Sequence, residues 1–286
     1  MATLHILKRR IKAAQNVSKT TRAMQMIAAS KLRRAQEAAL SSRPYVDRLT
    51  ELTQAISSKI NDDQKHPYMK LNPETQKTLL ILLSPDKGLC GGLITNLLRE
   101  FLQFTDKEKN ISYVVIGKKA QSSVVHLNTE IIASFPFGTT IPIFDMVYPI
   151  AKLIDDNYLQ GNVHTVKILD SNFQSIFSQK PTIATLLPIT LPQDISADTR
   201  NFFTLFEPNI IDLVPTLLKH YIEMAIFQFL LESYVSEQAS RMIAMQNATN
   251  NARDMIADLR LEYNQSRQTK ITNEILDIAG SRTRSL

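Results

Sequence analysis

The sequence predicts a mixed α+β or α/β fold, in which helices from both ends of the chain form a paired shaft and an α/β domain is inserted between them. Residues 1–43 and 216–279 contain neither glycine nor proline. Six of the seven glycines lie between positions 88 and 161, and eleven of the twelve prolines lie between 67 and 215. Because these two residue types punctuate local structure, their distribution predicts long helices that flank a mixed domain.

The N-terminal segment, residues 1–60, is expected to form a coiled-coil helix. Small and apolar residues recur there with the 3.5-residue step of a coiled-coil seam. The seam positions are Leu4, Leu7, Ile11, Ala14, Ser18, Thr21, Gln25, Ala28, Leu32, Ala35 and Ala39. Pro44 follows two serines and an arginine, so a kink or a restart of the helix is expected near residue 44.

The middle segment, residues 75–192, alternates between strand patterns and helix patterns. Such alternation predicts a mainly parallel sheet with covering helices. The strand patterns cover residues 78–83, 112–116, 131–135, 163–169 and 182–190, and the helix patterns cover 93–104, 118–127 and 144–158. Residues 192–208 are interpreted as a connector to the C-terminal segment.

The C-terminal segment, residues 209–286, is predicted to be the second coiled-coil helix, with Pro215 in its first turn and Gly280 just past its end. As one helix, the residues between these two would span roughly 95 Å. The heptad seam comprises Leu217, Tyr221, Met224, Gln228, Leu231, Val235, Gln238, Met242, Met245, Thr249, Ala252, Ile256, Leu259 and Tyr263. A separate stripe then predicts a single-helix tip that contacts something other than the partner helix: Ile271, Ile275 and Ile278.

Charge is concentrated at the N-terminus. The chain carries a net charge of +6, yet residues 1–43 alone contain ten Lys or Arg and one acidic residue, Glu37. Basic arms of this kind meet nucleic acid, anionic membranes or acidic protein surfaces. The longest stretch without a charged residue, 131–144, is too short to cross a bilayer. An Arg-rich, acid-poor start is also typical of a mitochondrial transit peptide, but the helical pattern here continues past residue 36 without a break.

No motif predicts catalysis, a cofactor or a metal ion. The glycine-rich turn at residues 88–92 follows the first strand, but Leu93 and Ile94 replace the Lys and Ser/Thr that a phosphate loop requires, so a tight turn with close packing is expected. Cys90 is interpreted as a buried thiol, and no two of the five histidines have helical ligand spacing. A basic coiled coil that binds nucleic acid or acts as a scaffold is the alternative function, although residues 1–43 lack aromatic side chains for stacking on bases.

Three separated blocks nevertheless resemble the gamma subunit of F-type ATP synthases, in the order that this family has them. The first runs from Arg10 to Arg33 and includes the run KTTRAMQMIAASKLR. The second is SPDKGLCGGL, residues 84–93. The third is SEQASRMIAMQNAT, residues 236–249, followed by Arg267–Gln268 and by ITNE at 271–274.

The resemblance implies an antiparallel coiled coil that enters a ring of three alpha and three beta subunits. The α/β domain, with the epsilon subunit, would then rest on the membrane c-ring. Such a chain couples ion flow through the ring to ATP synthesis on the beta subunits and catalyses nothing itself. It binds no nucleic acid and is held at the membrane only through the complex, on the cytoplasmic face of the bacterial inner (plasma) membrane.

The resemblance also nominates subunit-contact residues by their positions in the matching blocks. Met24 and Arg241 correspond to neck residues near the moving loops of beta, although Met24 also fits an ordinary seam residue. The upper contact residues are Arg267, Gln268, Thr272 and Glu274. The tail departs from the small-residue ending of the family, because positions 282 and 284 are both arginine.

Overall fold

The computed structural model describes residues 2–57, 66–73, 75–108, 110–125, 130–189 and 210–283. These residues form two compact units. The first unit combines Met1–Ala29 with Arg241–Leu286, and the second unit is Ser30–Ser240. The first unit is helical, whereas the second contains a β-sheet, its covering helices and the remaining parts of the two long helices.

The two long helices are α1, Ala2–Ser57, and α5, Ile210–Thr283. Helix α1 continues through Pro44, so the restart expected there does not occur. Pro44 and Leu40 both lie on the exposed side of the helix, where water can bond the carbonyl that proline leaves without a donor. Helix α5 begins five residues before Pro215, because Val214 and Leu218 are buried and hold the first turns in place.

Every predicted seam residue of α1 and α5 is buried or half-buried. In the second unit the two helices run antiparallel, since Ser42 contacts Gln228 and Tyr45, farther along α1, contacts His220, nearer the start of α5. Helix α5 also continues through Gly280, which was expected to lie just past its end. The predicted domain boundaries at residues 60, 192 and 209, and the connector 192–208, lie outside the described residues.

The sheet has five strands in the order β3-β2-β1-β4-β5. Strands β1 to β4 are parallel, and β5 pairs antiparallel with β4. The mainly parallel sheet is therefore confirmed. The strands are β1 Thr78–Leu83, β2 Ile111–Ile116, β3 Ile131–Phe135, β4 Thr165–Phe173 and β5 Gln179–Leu187.

Among the described residues, three helices cover the sheet. They are α2 Leu93–Lys107, α3 Lys118–Val125 and α4 Val147–Leu159, with 3₁₀ turns at Pro67–Met69 and Phe144–Met146. The apolar side chains of α2 recur every three or four residues and face the sheet, where Leu97 and Phe101 pack on Leu82 and Tyr113. All six residues of β1 are buried because this strand lies in the middle of the sheet. Among the described helices, none combines the length and the apolarity needed to cross a membrane.

Candidate functional site

In the first unit, α1 and α5 meet through small and polar side chains. Thr21 Oγ1 and Thr249 Oγ1 are 2.7 Å apart and share a hydrogen bond between the helices. Thr249 is buried, and its hydroxyl also donates to the carbonyl of Met245. Small seam residues such as Ala14 and Ala28 are buried beside these contacts. Short side chains let the two backbones approach closely, which suits a narrow helix pair.

The outer surface of α1 in the same unit combines positive charge with exposed apolar side chains. Its exposed basic residues are Lys8, Arg9, Arg10, Lys12, Lys19 and Arg22. Its exposed apolar residues are Ile6, Val17, Met24, Met26 and Ile27. Such a surface can pack against a partner through the apolar side chains and attract acidic loops through the basic ones. Exposed ion pairs are weak and screened by salt, so contacts of this kind can form and break.

The predicted neck residues both belong to the first unit, where Met24 is 39% exposed and Arg241 is half-buried. Met24 is thus available to a partner, although it lies next to the seam residue Gln25. The upper contact residues Arg267, Gln268, Thr272 and Glu274 are all exposed. Thr272 donates its hydroxyl to the carbonyl of Gln268, and Glu274 lies 3.4 Å from Lys270 Nζ. Their roles as subunit contacts stay predictions.

The isoleucine stripe after the seam is exposed as far as the side chains are described. Ile271 is 48% exposed and Ile275 is 60% exposed, whereas Ile278 falls among the side chains that are not described. The last seam residue, Tyr263, is still half-buried. A single-helix tip whose apolar face contacts another chain stays a prediction.

In the second unit, the loops at the carboxyl ends of the parallel strands contact the long helices. Ser240 Oγ on α5 donates a 2.6 Å hydrogen bond to the carbonyl of Cys90. Lys31 Nζ on α1 and Tyr234 Oη on α5 both donate to the carbonyl of Thr139, at 2.6 and 3.2 Å. This edge is where open α/β folds bind their ligands. In this protein the edge forms hydrogen bonds with α1 and α5 instead.

The glycine-rich turn is tight, as expected. Leu89 and Gly91 have positive φ angles of 64° and 56°, and Cys90 between them is buried. The conformation presents the Cys90 carbonyl to Ser240 and leads directly into α2. The backbone carbonyl of Cys90 in this turn therefore binds helix α5, so the glycine-rich motif has a structural role.

Asp86 in the same loop was not singled out by sequence reasoning. Its carboxylate accepts hydrogen bonds from the backbone N–H groups of Lys118 and Gly138, both at 2.9 Å, and from Phe137 at 3.4 Å. One side chain thereby ties the loops after β1, β2 and β3 together. The only sequence signal was its place in the block SPDKG directly after the first strand. Within the described residues, no group of three or more His, Cys, Asp or Glu has the arrangement of a metal site.

Comparison with known proteins extends over almost the whole chain. A family profile described as ATP synthase matches residues 3–283. The ATP synthase gamma chain of Dehalococcoides mccartyi strain CBDB1 is 37% identical over 282 residues, which cover 98% of each chain. That of Herpetosiphon aurantiacus is 36% identical over 297 residues and 99% of each chain.

Solved structures share the fold. A chain of the Euglena gracilis mitochondrial ATP synthase, described as OSCP/F1/c-ring, matches with a TM-score of 0.70 at 16% identity, over 99% of this chain and 94% of that one. A chain of the Tetrahymena thermophila mitochondrial ATP synthase, described as central stalk/c-ring, matches with a TM-score of 0.60 at 22% identity, over 80% of this chain and 99% of that one.

Proposed function

This chain belongs to the ATP synthase gamma chain family, and from that premise we propose that it is the central-stalk rotor subunit of an F-type ATP synthase. The observation that carries the proposal is the 37% identity to a gamma chain over 98% of both sequences. The rotor couples ion flow through a membrane ring to ATP synthesis on the beta subunits. The chain itself transmits torque and catalyses no reaction.

The geometry of the first unit supports this role. A rotating shaft must be stiff along its length and must not bind its surroundings in one fixed position. The packed seam around Thr21 and Thr249 provides the stiffness. The exposed basic side chains of α1 provide screened, weak contacts to acidic loops of the beta subunits. In this proposal Met24 and Arg241 face those loops, and Arg267, Gln268, Thr272 and Glu274 form the upper contacts.

The sheet of the second unit is proposed to be the foot of the rotor. With the epsilon subunit it rests on the c-ring at the cytoplasmic face of the bacterial plasma membrane. The hydrogen bonds from Lys31, Tyr234 and Ser240 to the loops of the sheet support this role as a foot. They attach the α/β domain to both long helices.

The decisive experiment is a pull-down of the tagged chain from its native membrane, followed by intact mass measurement and an ATPase assay. We expect a particle with three alpha subunits, three beta subunits and one copy of this chain, which hydrolyses ATP. The purified chain alone should not hydrolyse ATP. Turnover that follows the isolated chain through purification, or recovery of the chain without alpha and beta, would overturn the proposal.

The alternative function, a basic coiled coil that binds nucleic acid, is not favoured by the family membership. It makes a separate expectation, namely binding to random duplex DNA that weakens steeply as salt rises. Binding of the purified chain to duplex DNA is measured at two salt concentrations. Salt-dependent binding would favour the alternative, whereas recovery of the tagged chain with alpha and beta subunits favours the rotor.

A further inference from the structure

Tyr68 is buried in the 3₁₀ turn Pro67–Met69, which His66 precedes. Its phenol O–H donates a 2.6 Å hydrogen bond to Asp155 Oδ1 on α4. Its backbone carbonyl accepts a 2.8 Å hydrogen bond from the N–H of Ile189, just beyond β5. The imidazole of His66 packs edge-on against the ring at 4.5 Å. Burial and the bond to Asp155 raise the pKa of Tyr68, so the phenol keeps its proton and remains the donor.

Asp155 also contacts the beginning of α5 and so links it to Tyr68. Its second oxygen, Oδ2, lies 3.6 Å from Lys219 Nζ, with the Asp155 side chain 13% exposed and the lysine 55% exposed. A lysine pair this exposed contributes little when both partners are free to move. Here one partner is already fixed, because the hydrogen bond from Tyr68 to a charged acceptor is short and directional. We call Tyr68, Asp155 and Lys219 the α5 base junction.

His220, which follows Lys219 in α5, contacts helix α1. His220 Nε2 lies 2.7 Å from Tyr45 Oη on α1, and His220 Nδ1 lies 3.6 Å from Glu223 Oε2. Consecutive residues of an α-helix project about 100° apart around its axis. One turn of α5 is therefore held to α4 on one side and to α1 on another, and two such attachments resist rotation of the helix about its own axis.

We propose that Asp155 is a positioning residue that helps to pass torque between the sheet of the second unit and helix α5. This inference rests on the proposed rotor function. Asp155 is suited to the task because one carboxylate contacts both the buried phenol and the lysine, so its loss removes the polar link of α5 to α4 and to Tyr68 together. Without the junction, fewer contacts hold α5 to the sheet domain, such as those of Tyr234 and Ser240, so part of the torque is lost.

The test compares ATP hydrolysis with ATP-driven ion pumping by the complete complex in sealed vesicles. For Asp155→Ala we expect near-normal hydrolysis and a several-fold lower ratio of pumping to hydrolysis. Asp156→Ala is the matched control, since Asp156 is the next residue of α4 and is exposed. Its ratio should be unchanged. Asp155→Asn keeps an acceptor for the Tyr68 phenol but removes the negative charge that faces Lys219, so its ratio should stay low.

A normal ratio in assembled Asp155→Ala complexes overturns the proposal. This holds also if hydrolysis and pumping fall in equal proportion, because an equal fall indicates a structural role only. Tyr68→Phe keeps the ring and removes the hydrogen bond, so its ratio decides if the alanine variant does not assemble. Failure of the unaltered chain to join alpha and beta subunits would instead overturn the proposed function.

Discussion

Thr182 Oγ1 donates a 2.7 Å hydrogen bond to Asp170 Oδ1 and so joins β5 to β4 in the interior of the second unit. Asp170 is fully buried, and its Oδ2 has no hydrogen-bond partner among the described residues. The pKa of Asp170 is raised from 3.8 to about 7, chiefly because burial disfavours the charged carboxylate. The hydrogen bond from Thr182 lowers the pKa, and the negative charge of Glu232 on α5 raises it further. The sheet therefore contains a carboxyl group that is protonated over much of the acidic range.

This group should make the chain less stable as the pH rises from about 4 to 7. Below pH 3.8 both the folded and the unfolded chain hold the proton at Asp170, so the group has no effect. Between pH 3.8 and about 7 the unfolded chain loses the proton and the folded chain keeps it, so the free energy of unfolding falls. The total fall is of the order of 4 kcal/mol, at about 1.4 kcal/mol per pKa unit.

Asp170→Asn isolates this effect, because the amide has nearly the same shape and does not titrate. Urea unfolding of both chains at pH 5 and pH 8 should show the unaltered chain losing more stability between the two values. All other titrating groups are common to both chains and cancel in the difference. Parallel stability curves across this range would contradict the assigned cause.

Gly117, at the end of β2, should tolerate no side chain. It has a φ of 101°, and a Cβ at this position would lie 1.9 Å from the carbonyl oxygen of Ser84. Backbone strain costs about 1–3 kcal/mol, and the clash between backbone atoms adds about 1–3 kcal/mol. Gly117→Ala should therefore lower the free energy of unfolding by roughly 3 kcal/mol or more, as measured by urea denaturation.

Two other glycines provide controls of graded severity. Gly138 also has a positive φ, 85°, but a Cβ there would meet no atom within 4 Å, so its alanine variant should lose only about 1–2 kcal/mol. Gly88 does not have a positive φ, and a Cβ there would meet no atom within 4 Å, so Gly88→Ala should be nearly neutral. A loss at Gly138 as large as that at Gly117 would show that the conformation, and not the clash, dominates.

The long helices could be predicted from the sequence because their signals are local. The absence of glycine and proline and the 3.5-residue seam extend over many turns, and every seam residue from Leu4 to Tyr263 is buried or half-buried. The bounds of β1 and β3 were also predicted correctly, since both are short apolar runs. The start of α5 was predicted wrongly, because packing of Val214 and Leu218 outweighs the preference of Pro215 for a first turn.

The remaining features depend on contacts that no local pattern reveals. Strand β4 was predicted to end at residue 169, yet it continues to Phe173 because Asp170 and Ser171 are buried by tertiary packing despite their polarity. Strand β5 pairs antiparallel with β4 because only the short turn at residues 174–178 separates the two strands. The contacts from Tyr68 to Asp155 and from Ser240 to Cys90 join residues 87 and 150 positions apart, so only the folded chain brings them together.

The hydrogen bond between Thr21 and Thr249 should show strong coupling in a double-mutant cycle. Either single change to valine leaves one hydroxyl without its partner in the seam, at a cost of about 1–2 kcal/mol. The double variant replaces both hydroxyls by methyl groups of similar shape and should recover much of that loss. Thermal unfolding of the four chains measures the coupling energy. Additive losses would mean that the hydroxyls bond chiefly to their own helices, at Val17 and Met245.

The exposed upper residues allow contact with a partner to be separated from folding. Arg267, Gln268 and Thr272 are exposed, so alanine at any of them should change the free energy of unfolding of the isolated chain by less than about 0.5 kcal/mol. If they contact the surrounding subunits, the same variants should lower ATP synthesis by the assembled complex several-fold. Asn264→Ala is the control, because Asn264 is exposed on the same stretch of α5 and outside the predicted contact set. Equal synthesis rates in all four variants would remove these residues from the proposed contact surface. A loss confined to the Arg267, Gln268 and Thr272 variants would indicate that this stretch of α5 contacts the subunits around the rotor.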